Sequence, residues 1–488
     1  MSVVKNNLQN RVAHAAKWSA ITEIVAKMIS PITTMILARI LAPEVFGAVA
    51  MITMVISFAD MFTDAGFQKY LVQHEFKDDD EKYKNINVAF WTNIVISFLL
   101  WGIIVVFGEP IARLVGNPGL GSVIAIACIQ LPITSFSSIQ MALYRRDFDF
   151  KTLFWVRLVS ISIPLVVTIP LALGGLGYWS LIIGTISGQL SNAIILTFKS
   201  KWKPKWFYSI GILREMFSFS IWTLIESISI WLTAWVDAFI IGSSLSSYYL
   251  GLYMTSTTLV NALMAIITAS TVPVLFSTLS RLQNDPRKFE RIYFTTQRLA
   301  SIFIFPLGIG IFLYSDFATQ VLLGNQWGEA SHVIGIWALT SSIVIVFGHY
   351  CSEVYRSKGR PKLSFLAQIL HLIVLVPVCI ISSKYGFWPL VYARSLIRLE
   401  FVLVHFIIMK VAMGISVLKT LRNVVVTAIS AGTMGVLGFV LLKVGNSLTW
   451  MVVSIGICII AYFGILSLFP SFRAEMTGII KRLKSRSE

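Results

Sequence analysis

The stretch Trp18–Met51, WSAITEIVAKMISPITTMILARILAPEVFGAVAM, decides the fold. It reads as one membrane helix, a tight turn at Ala42-Pro43 and the start of a second helix. About 20 mostly apolar residues suffice to cross a bilayer. Pro43 suits the first turn of a helix, where its missing N–H would have no partner anyway. Charge interrupts the apolar run: Glu23 and Lys27 lie inside the first helix, and Arg39 lies near its far end. Charged groups inside a membrane are costly and commonly mark a substrate or ion path. The pattern returns in the second half of the chain, where Trp222, Glu226 and Asp237 share a helix and a short polar turn leads to Leu250-Gly251.

The two occurrences belong to a wider repeat. Trp18 and Gly47 match Trp222 and Gly251 at the same spacing. Tyr144-Arg145-Arg146, closing a fourth span, matches Tyr355-Arg356, closing a tenth. Gly177-Tyr178-Trp179-Ser180-Leu181 matches Gly386-Phe387-Trp388-Pro389-Leu390. Trp favours the membrane interface, so one such match means little; three in order indicate duplication. Each half holds six spans of one orientation, which makes the repeat parallel, about an axis along the membrane normal. The expected organisation is a bundle over 1–200, a second over 201–412, two extra helices over 413–470 and a basic tail over 471–488.

Composition supports this reading. Of 488 residues, 56% are apolar and 13% charged, which places the chain in the bilayer and excludes a soluble multidomain protein. The expected fold is an all-α polytopic membrane protein of about fourteen transmembrane helices. They include Val45–Val72, Leu120–Leu143, Ser331–Tyr355, Trp388–Met409 and Asn423–Leu442. The net charge of +17 does not point to nucleic acid, because the basic residues fall between apolar segments. One set of loops carries them: Lys77, Lys82 and Lys84; Arg145, Arg146 and Lys151; Lys199, Lys201, Lys203 and Lys205; and so on to the tail. The opposite loops offer little beyond Arg113, Lys384 and Lys443. Both termini are therefore expected in the cytoplasm. The four cysteines, all in apolar runs, lack metal or redox spacing. No signal peptide is expected, since no cleavage site follows a short apolar core.

The charges inside spans are the candidate functional residues. In FWPLVYARSLIRLEFVLVHF, beginning at Phe387, Arg394 and Arg398 stand four apart on one helix face. They lie roughly 10 and 16 Å below the helix start, near the middle of the bilayer. The arginine fork makes paired, charge-assisted bonds to phosphate. Two arrangements suit this pattern: a cationic patch lining a wet cavity, or an internal ion-pair network with Glu400. Glu23 and Lys27 are also four apart, either neutralising each other or contacting an anionic head group. Arg157, just inside its span, is an entry ligand or an interface anchor. Asp60 and Asp64, with Glu23 and Glu226, are candidates for coupling to a proton or sodium gradient, since paired carboxylates can hold a cation or share a proton. Asp237 and Glu353 are weaker candidates. His349, His371 and His405 read as hydrogen-bonded core residues. No catalytic residue, metal site or cofactor motif is found; a phosphate-binding GxxxxGK[ST] loop in particular is missing.

Ala38-Arg39-Ile40-Leu41-Ala42-Pro43-Glu44-Val45-Phe46-Gly47, Asp64-Ala65-Gly66 and Gly324-Asn325-Gln326-Trp327 carry a resemblance. With the span layout, they make the chain similar to the polysaccharide transporter branch of the multidrug/oligosaccharidyl-lipid/polysaccharide exporter superfamily. The family usually has Gly before the proline and Asp after Glu44, where this chain has Ala42 and Val45. The resemblance implies two six-helix bundles around a central cavity, plus two further helices. It implies a flippase, not an enzyme, for polyprenyl-diphosphate-linked oligosaccharides in a bacterial cytoplasmic membrane, working by alternating access for capsule, exopolysaccharide or O-antigen. Candidate partners are that lipid, membrane lipids, H+ or Na+, and polysaccharide assembly proteins. The proposed diphosphate ligands are Arg394 and Arg398, with Lys27 and Arg157. The alternatives are a cation-coupled multidrug exporter of the same superfamily, which would present buried acids and aromatics, and a membrane glycosyltransferase or polymerase. The last needs a catalytic carboxylate in a large outer loop, and the loops Gly108–Gly119 and Ser315–Ala330 are short.

Overall fold

The computed structural model describes residues 29–64, 66–445 and 447–469, with 18, 21, 22, 25, 26 and 472; side chains at 64, 218–220, 222, 223 and 226 are outside that description. Glu23 and Lys27, and the side chains of Asp64 and Glu226, therefore lie outside the described residues. Every regular element among the described residues is helical. In order come α1 (Ile29–Ala38), α2 (Pro43–Asp64), α3 (Phe67–Gln73), α4 (Asp79–Val106), α5 (Gly108–Leu114) and α6 (Gly121–Ala127). Then come α7 (Gln130–Arg146), α8 (Phe150–Leu173), α9 (Tyr178–Lys199), α10 (Ile210–Ser244) and α11 (Ser247–Arg281). They are followed by α12 (Pro286–Leu313), α13 (Ser315–Leu322), α14 (Ala330–Val344), α15 (Tyr350–Ser357) and α16 (Lys362–Ser383). The last are α17 (Phe387–Met413), α18 (Val417–Arg422), α19 (Val425–Val444) and α20 (Leu448–Ser467).

Among the described residues, 12 helices are long and apolar enough to cross a membrane. The chain is thus an all-helical, multi-pass membrane protein. The expected count of about fourteen is not reached by length and apolarity alone. Helix α17 is long enough at 27 residues, but Arg394, Arg398 and Glu400 set it apart. The two loops expected to be short hold only α5, α13 and a 3-10 turn at Asn325–Trp327.

Local chemistry sets the breaks. The expected helix Val45–Val72 divides at Gly66, whose φ of 83° is left-handed and turns the chain from α2 into α3. The expected helix Leu120–Leu143 divides at Cys128-Ile129, because Pro132 lacks an N–H and its ring crowds the carbonyl four residues back. Helix α4 starts at Asp79, ahead of its apolar run, because the Asp78 carboxylate accepts the Glu81 N–H at 2.7 Å. The tenth span carries a π segment at Ile345–His349 between α14 and α15.

The chain separates into two compact units, 1–255 with 376–390, and 256–375 with 391–488. These boundaries cut through helices, and the repeat boundaries at 200 and 412 remain a proposal from sequence symmetry. In the first unit, α3 packs its Phe67, Tyr70 and Leu71 against Ile86 and Phe90 of α4 and Ile139 of α7. Arg146 Nη1 donates to the carbonyls of Leu71 (2.7 Å) and His74 (2.6 Å), capping the negative end of α3. Helices α2 and α11 cross at backbone contact, the matched glycines facing each other. A Cβ on Gly47 would sit 2.7 Å from the Ser247 carbonyl carbon, and one on Gly251 would sit 2.7 Å from that of Pro43. Each glycine meets the residue four before its counterpart, a reciprocal contact expected of duplicated segments. Close approach of small residues supplies the packing that lipid-facing helices need.

In the second unit, α12 is tied to the last two helices by polar groups. Tyr462 donates to the Ile302 carbonyl at 2.8 Å, and Ser301 and Thr427 pair their hydroxyls at 2.8 Å. Asn423 Nδ2 donates to Gln297 Oε1 at 3.0 Å. Hydrogen bonds of this kind join helices across lipid. A Cβ at Gly438 would fall 3.2 Å from Leu313 and 3.3 Å from Cys458, so this small-residue face of α19 serves packing. All four cysteines are buried and unbridged.

Candidate functional site

Helix α17 carries two cations well inside it, Arg394 and Arg398. Arg394 and Arg398 follow each other by one turn, and both guanidinium groups lie over the face of Trp337 on α14. Their carbons stand 5.2 and 4.0 Å from the ring centroid. An aromatic face attracts a cation through its quadrupole. Arg398 Nη1 also donates to Ser341 Oγ at 2.8 Å. Trp337 is fixed in turn, donating its Nε1–H to Asn261 Oδ1 at 3.1 Å. Arg394 is buried and Arg398 half-buried. Both guanidinium groups are thus held against one indole ring.

Glu400 does not form the network with the arginines that the sequence left open. Its Oε2 bonds His371 Nδ1 of α16 at 2.8 Å, and the His371 ring lies tilted against Phe401. His405 is buried against the Tyr355 hydroxyl at 3.1 Å. His371 and His405 are therefore hydrogen-bonded core histidines, as expected. The π segment begins four residues after Ser341; such segments recur near functional sites.

The remaining candidates are scattered. Arg157, on α8, borders a cavity of about 340 Å³ together with Arg145 of α7 and Asn192 of α9. Asp60 accepts the Thr63 hydroxyl at 3.1 Å and that of Thr134 at 3.3 Å. Asp237 is buried and accepts the Tyr253 hydroxyl at 2.7 Å. Glu353 pairs with Arg356 at 3.1 Å. Among the described residues no cluster of His, Cys, Asp and Glu could hold a metal ion.

Sequence reading did not single out Trp337, Ser341, Arg145 or Asn192 as site residues. Trp337 carried one signal: Trp prefers the interface, and this one sits mid-span. The others had none, since their significance arises only from which helices pack together.

Comparison with known proteins bears on the whole arrangement. Residues 36–332 match a family described as "Polysaccharide biosynthesis protein". The chain is 27% identical over 330 residues to the succinoglycan biosynthesis transport protein ExoT of Rhizobium meliloti (strain 1021), covering 67% of this chain and 65% of that protein, a little under two thirds of its length. It is 20% identical over 388 residues to the lipopolysaccharide biosynthesis protein WzxC of Escherichia coli (strain K12), covering 78% and 76%. Among solved structures it resembles the lipid II flippase MurJ in an inward closed conformation. The TM-score is 0.76 at 15% identity, over 94% of this chain and all of that one. It also resembles an inward-facing multidrug resistance MATE family transporter of the MOP superfamily, with TM-score 0.64 at 13% identity, over 81% and 98%. At such identities the structural likeness concerns the fold. The family match covers more than half of the sequence, and the chain belongs to the polysaccharide biosynthesis protein family, on a fold shared with MurJ and the MATE transporters.

Proposed function

We propose that the chain is a flippase for polyprenyl-diphosphate-linked oligosaccharide units, acting by alternating access in the bacterial cytoplasmic membrane with both termini in the cytoplasm. The observation that carries this reading is the arginine pair on α17, stacked on Trp337 in mid-span. Two guanidinium forks one turn apart suit two linked phosphates, and each charge-assisted bond is roughly twice as strong as a neutral one. The transport role of ExoT and the flippase title of MurJ support the same direction. Arg394 and Arg398 hold the diphosphate; Lys27 and Arg157 assist on the way in. Asp60, Asp64, Glu23 and Glu226 are the candidates for coupling to H+ or Na+, and polysaccharide assembly proteins are candidate partners. The protein acts as a carrier, a reading the transport and flippase names of its relatives support.

A deletion strain tests the proposal. It should accumulate, on the inner leaflet, a lipid whose mass corresponds to a polyprenyl diphosphate bearing a complete sugar unit. Accumulation of incomplete units, or drug sensitivity with normal lipid, would replace the proposal with a transferase or a drug exporter.

A further inference from the structure

We propose that the first unit holds a second anion site, separate from the α17 arginines, which receives a phosphate-bearing headgroup at the end of the bundle where the basic loops lie. Arg145 at the last turn of α7, Arg157 on α8 and Asn192 on α9 converge on the 340 Å³ cavity, with Thr22 and Met141 completing its walls. That volume lies in the range of small-ligand pockets and holds a diphosphate with room beyond it.

Three observations point to an anion. First, the charge is one-sided: both charged groups on the lining are guanidinium groups, and no carboxylate lines the cavity among the described residues. Second, among the described residues the Arg145 guanidinium bonds only neutral groups, with Nη1 donating to Gln68 Oε1 at 3.2 Å and Nη2 set 3.4 Å from Met141 Sδ. Third, Asn192 is 9% exposed and faces this cavity, and no hydrogen bond joins its amide to another described residue. Its amide atoms are open to the cavity and can bond what enters it. An arginine reaching toward water at a helix end accounts for Arg157 by itself, but not for an amide facing the same cavity. The depth also fits. Arg157 is seven residues from the start of α8 and Asn192 seven from the end of α9, so each lies roughly 10 Å inside the helical layer. At that depth the two groups lie below the headgroup layer, inside the apolar core, where a charged group needs an ionic or hydrogen-bonding partner.

The shared ligand chemistry is a lipid-borne phosphate. It has two sources, the diphosphate of a carrier lipid and the phosphodiester of an acidic phospholipid. Taken with the flippase reading on which its role rests, the site is a loading station that holds the headgroup before it reaches the α17 arginines.

The test uses the full chain in nanodiscs of phosphatidylcholine, with inorganic diphosphate as the probe and calorimetry as the readout. Arg157→Gln should weaken binding about tenfold, as loss of one charge-assisted bond does. In the Arg394→Gln/Arg398→Gln background, which removes the α17 arginines, Arg145→Gln with Arg157→Gln should abolish the remaining binding, and Arg157→Lys should fall between. Arg394→Gln with Arg398→Gln alone should leave one saturable diphosphate site, the one the Arg145/Arg157 changes remove. Unaltered thermal unfolding of the variants separates lost binding from lost structure. Repeating the titration with phosphatidylglycerol present distinguishes the sources: unchanged diphosphate binding assigns the pocket to the carrier lipid, and competition assigns it to the phospholipid. No saturable binding by the Arg394→Gln/Arg398→Gln protein in either lipid, or binding by it that survives the Arg145/Arg157 pair of changes, overturns the proposal. A failure of transport in vesicles would refute the flippase reading and leave this binding result standing.

Discussion

Replacing Gly47 by alanine is the sharpest test of the duplicated architecture. A Cβ there would lie 2.7 Å from the Ser247 carbonyl carbon and 3.0 Å from the Gly251 nitrogen. Carbon atoms prefer about 3.5–4.0 Å, and the Ser247 carbonyl oxygen lies nearer still, so the helices must part by more than ~1 Å. The obstructing atoms are backbone and cannot rotate aside. Overpacking of this kind costs about 1–3 kcal/mol. Gly251→Ala meets the mirrored obstruction, 2.7 Å from the Pro43 carbonyl carbon, and should cost the same. One separation of α2 from α11 makes room for both methyl groups. The double variant should therefore cost about as much as either single one, well short of the sum, since contacting residues are not additive. Gly102→Ala, with nothing within 4 Å of the new carbon, is the control and should leave stability unchanged or slightly higher. Thermal unfolding of the purified protein in detergent reads all four. Neutral single variants, or fully additive losses in the double one, would refute the reciprocal crossing.

Other consequences can be checked separately. Tyr462→Phe leaves the Ile302 carbonyl without its 2.8 Å donor and should lower the unfolding free energy by about 1 kcal/mol in denaturant titration. Arg398→Ala should abolish polymer export at normal protein level, measured as surface polysaccharide against an immunoblot. At the loop between α5 and α6, the Gly119 N–H bonds Glu109 Oε1 at 3.0 Å and, as the largest influence, holds that carboxyl below the usual carboxylate range. A depressed value means the contact contributes fully above the unfolded carboxylate range and fades as pH falls through the folded value. Hydrogen exchange should show the Gly119 amide protected at neutral pH and released in acid; equal protection at both would contradict this.

Much of the fold was legible because lipid restricts the choices. With backbone groups unable to bond water, apolar runs of sufficient length become helices. The breaks at Gly66 and Cys128-Ile129 were missed because hydropathy averages over a window and ignores a single left-handed residue or a proline one turn on. The arginine pair was legible from its four-residue spacing within one segment. Trp337, its platform, was not, because it lies on a different helix and nothing in the sequence specifies that α14 faces α17. Glu400 illustrates the same limit from the other side: its nearest charges in sequence are Arg394 and Arg398, yet its bonding partner is His371 on α16. Local spacing reports which residues share a face, and packing decides what that face meets.

Reconstituted vesicles give the most direct measurement of the central claim. A fluorescent polyprenyl-diphosphate-linked oligosaccharide, placed in both leaflets, is exposed to an impermeant reagent that destroys only the outer pool. The native chain should make the protected pool accessible, and Arg394→Gln with Arg398→Gln should leave it protected at the level of protein-free vesicles. Equal translocation by the native chain and the double variant would show that the guanidinium pair on Trp337 does not grip the travelling headgroup.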